Sequence, residues 1–146
     1  MTVFNNTLYL TYRANNQSND LLLTSSTNGV TWTNSVLVGQ KSQVGPALTM
    51  FNNALYLAYA GLSDDIHLIT STNGAKWMAV PDPSQVQLTA LSQTLTVINN
   101  ALYLAYVTND GSNSLLSIQS PDGMTWSVET ALQLTSCRVE ILHLKA

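Results

Sequence analysis

One block occurs three times in this chain: Phe4-Asn5-Asn6-Thr7-Leu8-Tyr9-Leu10-Thr11-Tyr12, then Phe51-Asn52-Asn53-Ala54-Leu55-Tyr56-Leu57-Ala58-Tyr59, then Ile98-Asn99-Asn100-Ala101-Leu102-Tyr103-Leu104-Ala105-Tyr106. Tyr9, Tyr56 and Tyr103 stand 47 positions apart in both steps. A second block follows each first one. It reads Ser-Thr-Asn-Gly-Val-Thr-Trp from Ser26, Ser-Thr-Asn-Gly-Ala-Lys-Trp from Ser71 and Ser-Pro-Asp-Gly-Met-Thr-Trp from Ser120. Its tryptophans, Trp32, Trp77 and Trp126, are 45 and 49 positions apart, so insertions and deletions fall between the blocks. Three copies of one supersecondary unit therefore fill the 146 residues, at approximately 3–49, 50–96 and 97–146 of a single domain spanning 1–146.

Each unit reads as strands. Val44 to Phe51, Ala54 to Ala60, Asp65 to Thr70 and Ala75 to Val80 are short, rich in aliphatic, β-branched and aromatic residues, and separated by turn residues. The Asn-Asn pairs stand where a two-residue hairpin needs positive φ, which Asn tolerates. Alternation puts Leu55, Leu57 and Tyr59 on one face and Tyr56, Ala58 and Ala60 on the other, so both faces are apolar and both must be covered. A four-stranded antiparallel unit covered on both faces by copies of itself is a β-propeller blade. The expected fold is therefore all-β, with three blades per chain.

The heptapeptide falls between the third and fourth strands, where Asx-Gly supplies the turn and the Ser hydroxyl can bond nearby backbone. It resembles the Asp box, or BNR repeat, Ser-X-Asp-X-Gly-X-Thr-Trp, of the sialidase-like propeller superfamily. The matching residues are Ser26, Asn28, Gly29, Thr31 and Trp32; Ser71, Asn73, Gly74 and Trp77; and Ser120, Asp122, Gly123, Thr125 and Trp126. Asn replaces Asp in two copies, and one residue is absent between Asx and Gly. The resemblance implies that the box is a structural turn on the edge away from any ligand, and that the protein is secreted or displayed at the cell surface.

Catalysis finds no support in the residues. The three-arginine clamp that the resemblance would imply for a sialidase cannot be built from Arg13 and Arg138, the chain's two arginines. The carboxyl groups, Asp20, Asp64, Asp65, Asp82, Asp110, Asp122, Glu129 and Glu140, fall mostly in predicted loops, and no pair is placed for glycoside hydrolysis. His67 stands where the other copies have Leu22 and Leu116, which reads as a tolerated strand substitution. Cys137 is alone, and two histidines supply no zinc spacing. The expectation is a protein that is not an enzyme and holds no metal or cofactor. A net charge of -3 with no basic cluster argues against nucleic acid. No run of about 18 apolar residues argues for membrane insertion, and Met1 to Leu10 lacks a signal-peptide pattern.

If the Asn-Asn and Asp-box turns share one edge, the loops after Tyr12, Tyr59 and Tyr106, and the connections Gly39 to Gly45 and Pro81 to Leu88, share the other. These loops carry Arg13, Asn15, Asn16, Gln17, Asp64, Asp65, Asn109 and Asp110, groups of the kind that bond sugar hydroxyls. Arg13 is the cation expected near such a loop. The favoured function is a non-catalytic, lectin-like module with a glycan ligand. The alternative is a structural or protein-interaction propeller, or part of a larger propeller protein. Propellers close with about 4 to 8 blades, so three blades leave two faces bare. If each exposes roughly 500 Å² of apolar surface, covering it is worth about 12 kcal/mol. A homodimer closing a six-bladed ring is expected, with Cys137 to Leu144 pairing across a blade junction.

Overall fold

A computed structural model describes residues 1–81 and 93–135. Strands β1 (Thr2–Phe4), β2 (Thr7–Arg13), β3 (Asp20–Ser26) and β4 (Val36–Lys41) form the first sheet, in sequential antiparallel order. Strands β5 (Ala47–Phe51), β6 (Ala54–Ala60), β7 (Ile66–Ser71) and β8 (Met78–Ala79) form the second. The third comprises β9 (Thr94–Ile98), β10 (Ala101–Val107), β11 (Ser114–Ser120) and β12 (Thr130–Thr135). The chain is all-β: three four-stranded blades of a β-propeller, with β5 lying beside both β1 and β9 on the inner side.

Local chemistry sets the turns. Both residues of the three hairpin pairs, Asn5-Asn6, Asn52-Asn53 and Asn99-Asn100, lie at positive φ, from 46° at Asn52 to 58° at Asn53 and Asn100, as a type I′ hairpin requires. The inner strand of the second blade begins at Ala47 rather than Val44. Pro46 has no N–H to donate to a ladder, and Ser42 Oγ folds the preceding residues by donating to the Val44 carbonyl at 2.8 Å. The fourth strand of the second blade is also shorter than the expected Ala75 to Val80, at Met78–Ala79, and its counterparts start only at Val36 and Thr130. After Trp32 and Trp126 a single backbone–backbone bond ties the chain to the third strand, Thr33 N–H to the Ser25 carbonyl and Ser127 N–H to the Gln119 carbonyl, both 2.9 Å, and the Thr33 and Ser127 hydroxyls accept the Ser25 and Gln119 N–H groups at 3.0 and 3.1 Å. Regular pairs, Val36 with Leu23 and Leu37 with Leu22, and Thr130 with Ser117 and Ala131 with Leu116, then give way to irregular register before Lys41 meets Asp20 and Thr135 meets Ser114.

Nearly identical strands differ in burial according to their place. Every residue of β6 is buried, β10 alternates between buried and half-buried, and β2 is mostly half-buried or exposed. The middle blade is covered on both faces, as its two-sided apolar sequence requires. Leu55, Leu57 and Tyr59 face the first blade and pack with Phe4, Leu21, Leu23 and Val38. Tyr56 and Ala58 face the third and pack with Leu95, Leu102, Leu104, Tyr106 and Ile118.

Candidate functional site

The sequential antiparallel order puts the Asn-Asn hairpins and the heptapeptide turns on one edge of the molecule, and the β2–β3, β6–β7 and β10–β11 loops on the opposite edge. On the first edge the three heptapeptides have one geometry. The buried Ser26, Ser71 and Ser120 hydroxyls each accept the N–H of the glycine three residues on, at 2.9, 2.9 and 2.7 Å. Asn28 Oδ1 accepts the N–H groups of Val30 and Thr31 at 2.9 and 2.8 Å, and Asn73 Oδ1 those of Ala75 and Lys76, both 2.9 Å. Asp122 Oδ1 takes Met124 and Thr125 in the same way, at 2.8 and 2.7 Å, while its Oδ2 accepts the Thr125 hydroxyl at 2.9 Å. Those donors, the Thr125 N–H first, hold the Asp122 carboxyl far below the ordinary aspartate range. An Asx side chain is thus consumed in closing each turn.

The glycines serve neighbouring blades as well as their own turns. Gly74 and Gly123 lie at φ +72° and +78°, and each lies under a tyrosine of the blade before. A Cβ on Gly74 would sit 2.7 Å from Tyr9 Cε1, and one on Gly123 would overlap the Tyr56 hydroxyl. Where Tyr9 crosses to the second blade, a groove of about 230 Å³ is lined by Tyr9, Ser25, Thr33 and Asn34 on one wall and by Asn73 and Gly74 on the other. A groove of about 370 Å³ at Tyr103, Gln119, Ser127 and Val128 repeats the first wall on the third blade. Sequence reasoning missed both grooves. Their signal was a tyrosine kept at the 47-residue spacing on the strand that faces the next blade's glycine.

On the loop edge, the polar residues largely bond within their own loops. Arg13 Nη1 donates to Asn19 Oδ1 at 3.2 Å, and Asn16 Oδ1 accepts the Ser18 hydroxyl at 2.7 Å and the Ser18 N–H at 3.0 Å. Asn15 is exposed. Asp110 Oδ1 accepts from the Ser112 hydroxyl, the Ser112 N–H and the Thr108 hydroxyl, at 2.6 to 2.9 Å, which lowers its pKa. The Asp65 carbonyl accepts the Gly61 N–H at 2.8 Å. Asp64 and Asn109 come together across two blades: Asn109 Nδ2 donates to Asp64 Oδ2 at 3.3 Å. The other Asp64 oxygen, Oδ1, is buried with no partner among the described residues. Arg13, expected in a loop, is instead the last residue of β2, paired with Leu21, and bonds neither of them.

Arg13 is not the sole cation near that loop, contrary to expectation. Lys41, at the end of β4, donates from Nζ to the Ser18 carbonyl at 3.0 Å and lies 3.7 Å from Asp20. The β3–β4 irregularity brings it there, which strand spacing alone did not show. Two further titratable side chains contact neighbours within their own blades. His67 stacks on Tyr59 with ring centroids 5.3 Å apart. Tyr106 donates to Glu129 Oε1 at 2.5 Å; burial first, then the Glu129 bond and charge, push its hydroxyl well above the ordinary phenol range.

Among the described residues no three His, Cys, Asp or Glu side chains gather as a metal site would need, and no helix is long and apolar enough to cross a membrane. Asp82, Cys137, Arg138, Glu140, the 82–88 part of the connection and the Cys137 to Leu144 strand lie outside the described residues.

Blade count, inner-strand adjacency and shared turn edges define a β-propeller. The chain belongs to the family described as the DUF6242 beta propeller domain, whose model matches residues 1–138. Among solved structures, it is similar to a GH32 β-fructofuranosidase of Bombyx mori, with a TM-score of 0.70 and 14 % identity over 92 % of this chain and 34 % of that one. It is also similar to a fucose lectin from Kordia zhangzhouensis solved with methyl-fucoside, with a TM-score of 0.64 and 13 % identity over 88 % of this chain and 91 % of that one. The Aleuria aurantia lectin, solved with Fucα1-6GlcNAc, gives 0.58 and 13 % over 89 % of this chain and 41 % of that one. At such identities the likeness is one of fold. The chain spans about a third of the length of the β-fructofuranosidase. No curated protein matches it by sequence.

Proposed function

We propose that this propeller is a non-catalytic carbohydrate-binding module with Asp-box turns of the sialidase-like type, and that a glycan is held at the loop edge. The Asp64–Asn109 pair carries the reading. It is the place where candidate groups from two blades meet, and its 3.3 Å contact is long for N–H···O and readily exchanged. A sugar hydroxyl entering there would donate to the carboxylate and accept from the amide. That would relieve a buried oxygen that lacks a donor, an omission worth about 1–3 kcal/mol. Arg13 adds a cation at the end of β2 on the neighbouring blade. Asp110, in the third blade's loop, is already occupied by its own turn.

The lectins of like fold were solved with fucose-containing ligands, so fucosylated glycans are the first to test. A glycan-array screen of the purified, folded chain should return a specific set of sugars. Silence across the array would contradict the proposal and favour a structural or protein-interaction propeller.

A further inference from the structure

The two blade junctions inside the chain define a repeated half-and-half contact. At the first, Tyr9 rests on Gly74, Trp77 packs on the shared core, and Leu55, Leu57 and Tyr59 face the preceding blade. At the second, Tyr56 rests on Gly123, Trp126 packs on the core, and Leu102, Leu104 and Tyr106 face back in the same way. Each blade therefore has a trailing face that offers a tyrosine and a leading face that offers a glycine, a tryptophan and a Leu-X-Leu-X-Tyr strand.

Among the described residues, both halves are unmatched at the two outer faces. On the first blade, a Cβ on Gly29 would meet only Leu8 Cδ1, at 3.5 Å, and the strand residues Leu8, Leu10 and Tyr12 are half-buried or, for Tyr12, 36 % exposed. Their counterparts Leu55 and Leu57 are 0 % exposed and Tyr59 6 %. On the third blade, Tyr103 lines a groove that has the Tyr9 wall and lacks the wall supplied there by Asn73 and Gly74. Asn28 and Gly29 are the same two residues of the heptapeptide on the first blade.

We propose that two copies of this chain associate head to tail into a six-bladed ring, with Tyr103 of each copy seated on Gly29 of the other. For these 146 residues as a chain on their own, the occupant is a second copy, because each outer face is the homologue of a face that the chain already buries. The count agrees: propellers close with about 4 to 8 blades, and two copies of three blades fall in that range whereas three copies do not. The two junctions are heterologous in contact and related by a two-fold axis. Closure also completes the Tyr103 groove with residues of the other copy.

Light scattering of the purified chain after size exclusion should give a mass twice 15.8 kDa. A mass of 15.8 kDa at micromolar concentration, or a ladder of larger species, would overturn the closed ring. Tyr103→Asp on one face and Leu10→Asp on the other should each shift the protein to monomer. Mixing the two variants should restore dimer, because one junction of the mixed pair keeps both native faces. A mass that responds to one substitution and not the other would show like faces pairing and contradict the head-to-tail arrangement. Should either variant fail to fold, the wild-type mass still decides.

Discussion

At the scale of the residue, the three heptapeptides are a natural substitution series. Asn28, Asn73 and Asp122 accept the same two backbone N–H groups, so the turn does not require a charge. Only Asp122 can titrate. Its carboxyl is depressed in the folded chain, so the stability it contributes is present above the ordinary aspartate value of 3.8 and is lost as pH falls toward its lower folded value. Asp122→Asn should therefore leave the melting temperature at neutral pH almost unchanged and weaken its decline between about pH 4 and pH 2. Thermal melts across that range test this; an acid decline as steep as the wild type's would show that the Asp122 bonds do not matter to stability.

At the scale of the element, a strand's environment depends on its blade, and substitution costs should follow. Gly74→Ala meets Tyr9 and also forces a positive φ on a residue with a side chain. About 3 kcal/mol of destabilisation is expected. At Gly29 only the φ strain arises within the chain, worth about 1 kcal/mol. Trp77→Ala and Trp126→Ala remove half-buried rings packed on the two cores and should cost about 3 kcal/mol each, near the lower end for such truncations. Trp32 joins neither core, so Trp32→Ala should cost the folded chain less. Denaturant unfolding of the set checks the ranking. Equal losses at Gly29 and Gly74 in a monomeric chain would remove the neighbouring blade as the cause.

At the scale of the whole molecule, blade number, strand order, two-sided burial and the division into two edges were legible in the sequence. They follow from period, alternation and turn chemistry, which are local. The place of Lys41 was not, because it depends on an irregular pairing of the outer strand, nor were the grooves beside Tyr9 and Tyr103, which exist only between blades. The Asp64–Asn109 contact was half legible: both residues were candidates, but their meeting depends on how adjacent loops lean.

We propose that ligand recognition belongs to the loop edge and that the heptapeptide edge is structural. Calorimetric titration with the strongest array ligand tests it on three proteins: wild type, Asp64→Ala and Asn34→Ala, the last an exposed position on the Tyr9 groove. The expected result is at least a tenfold loss of affinity for Asp64→Ala, about 1.4 kcal/mol, with a small drop in melting from the positive φ of that position, and wild-type binding and melting for Asn34→Ala. Loss of binding in Asn34→Ala with full binding in Asp64→Ala would contradict the account and move the site to the opposite edge.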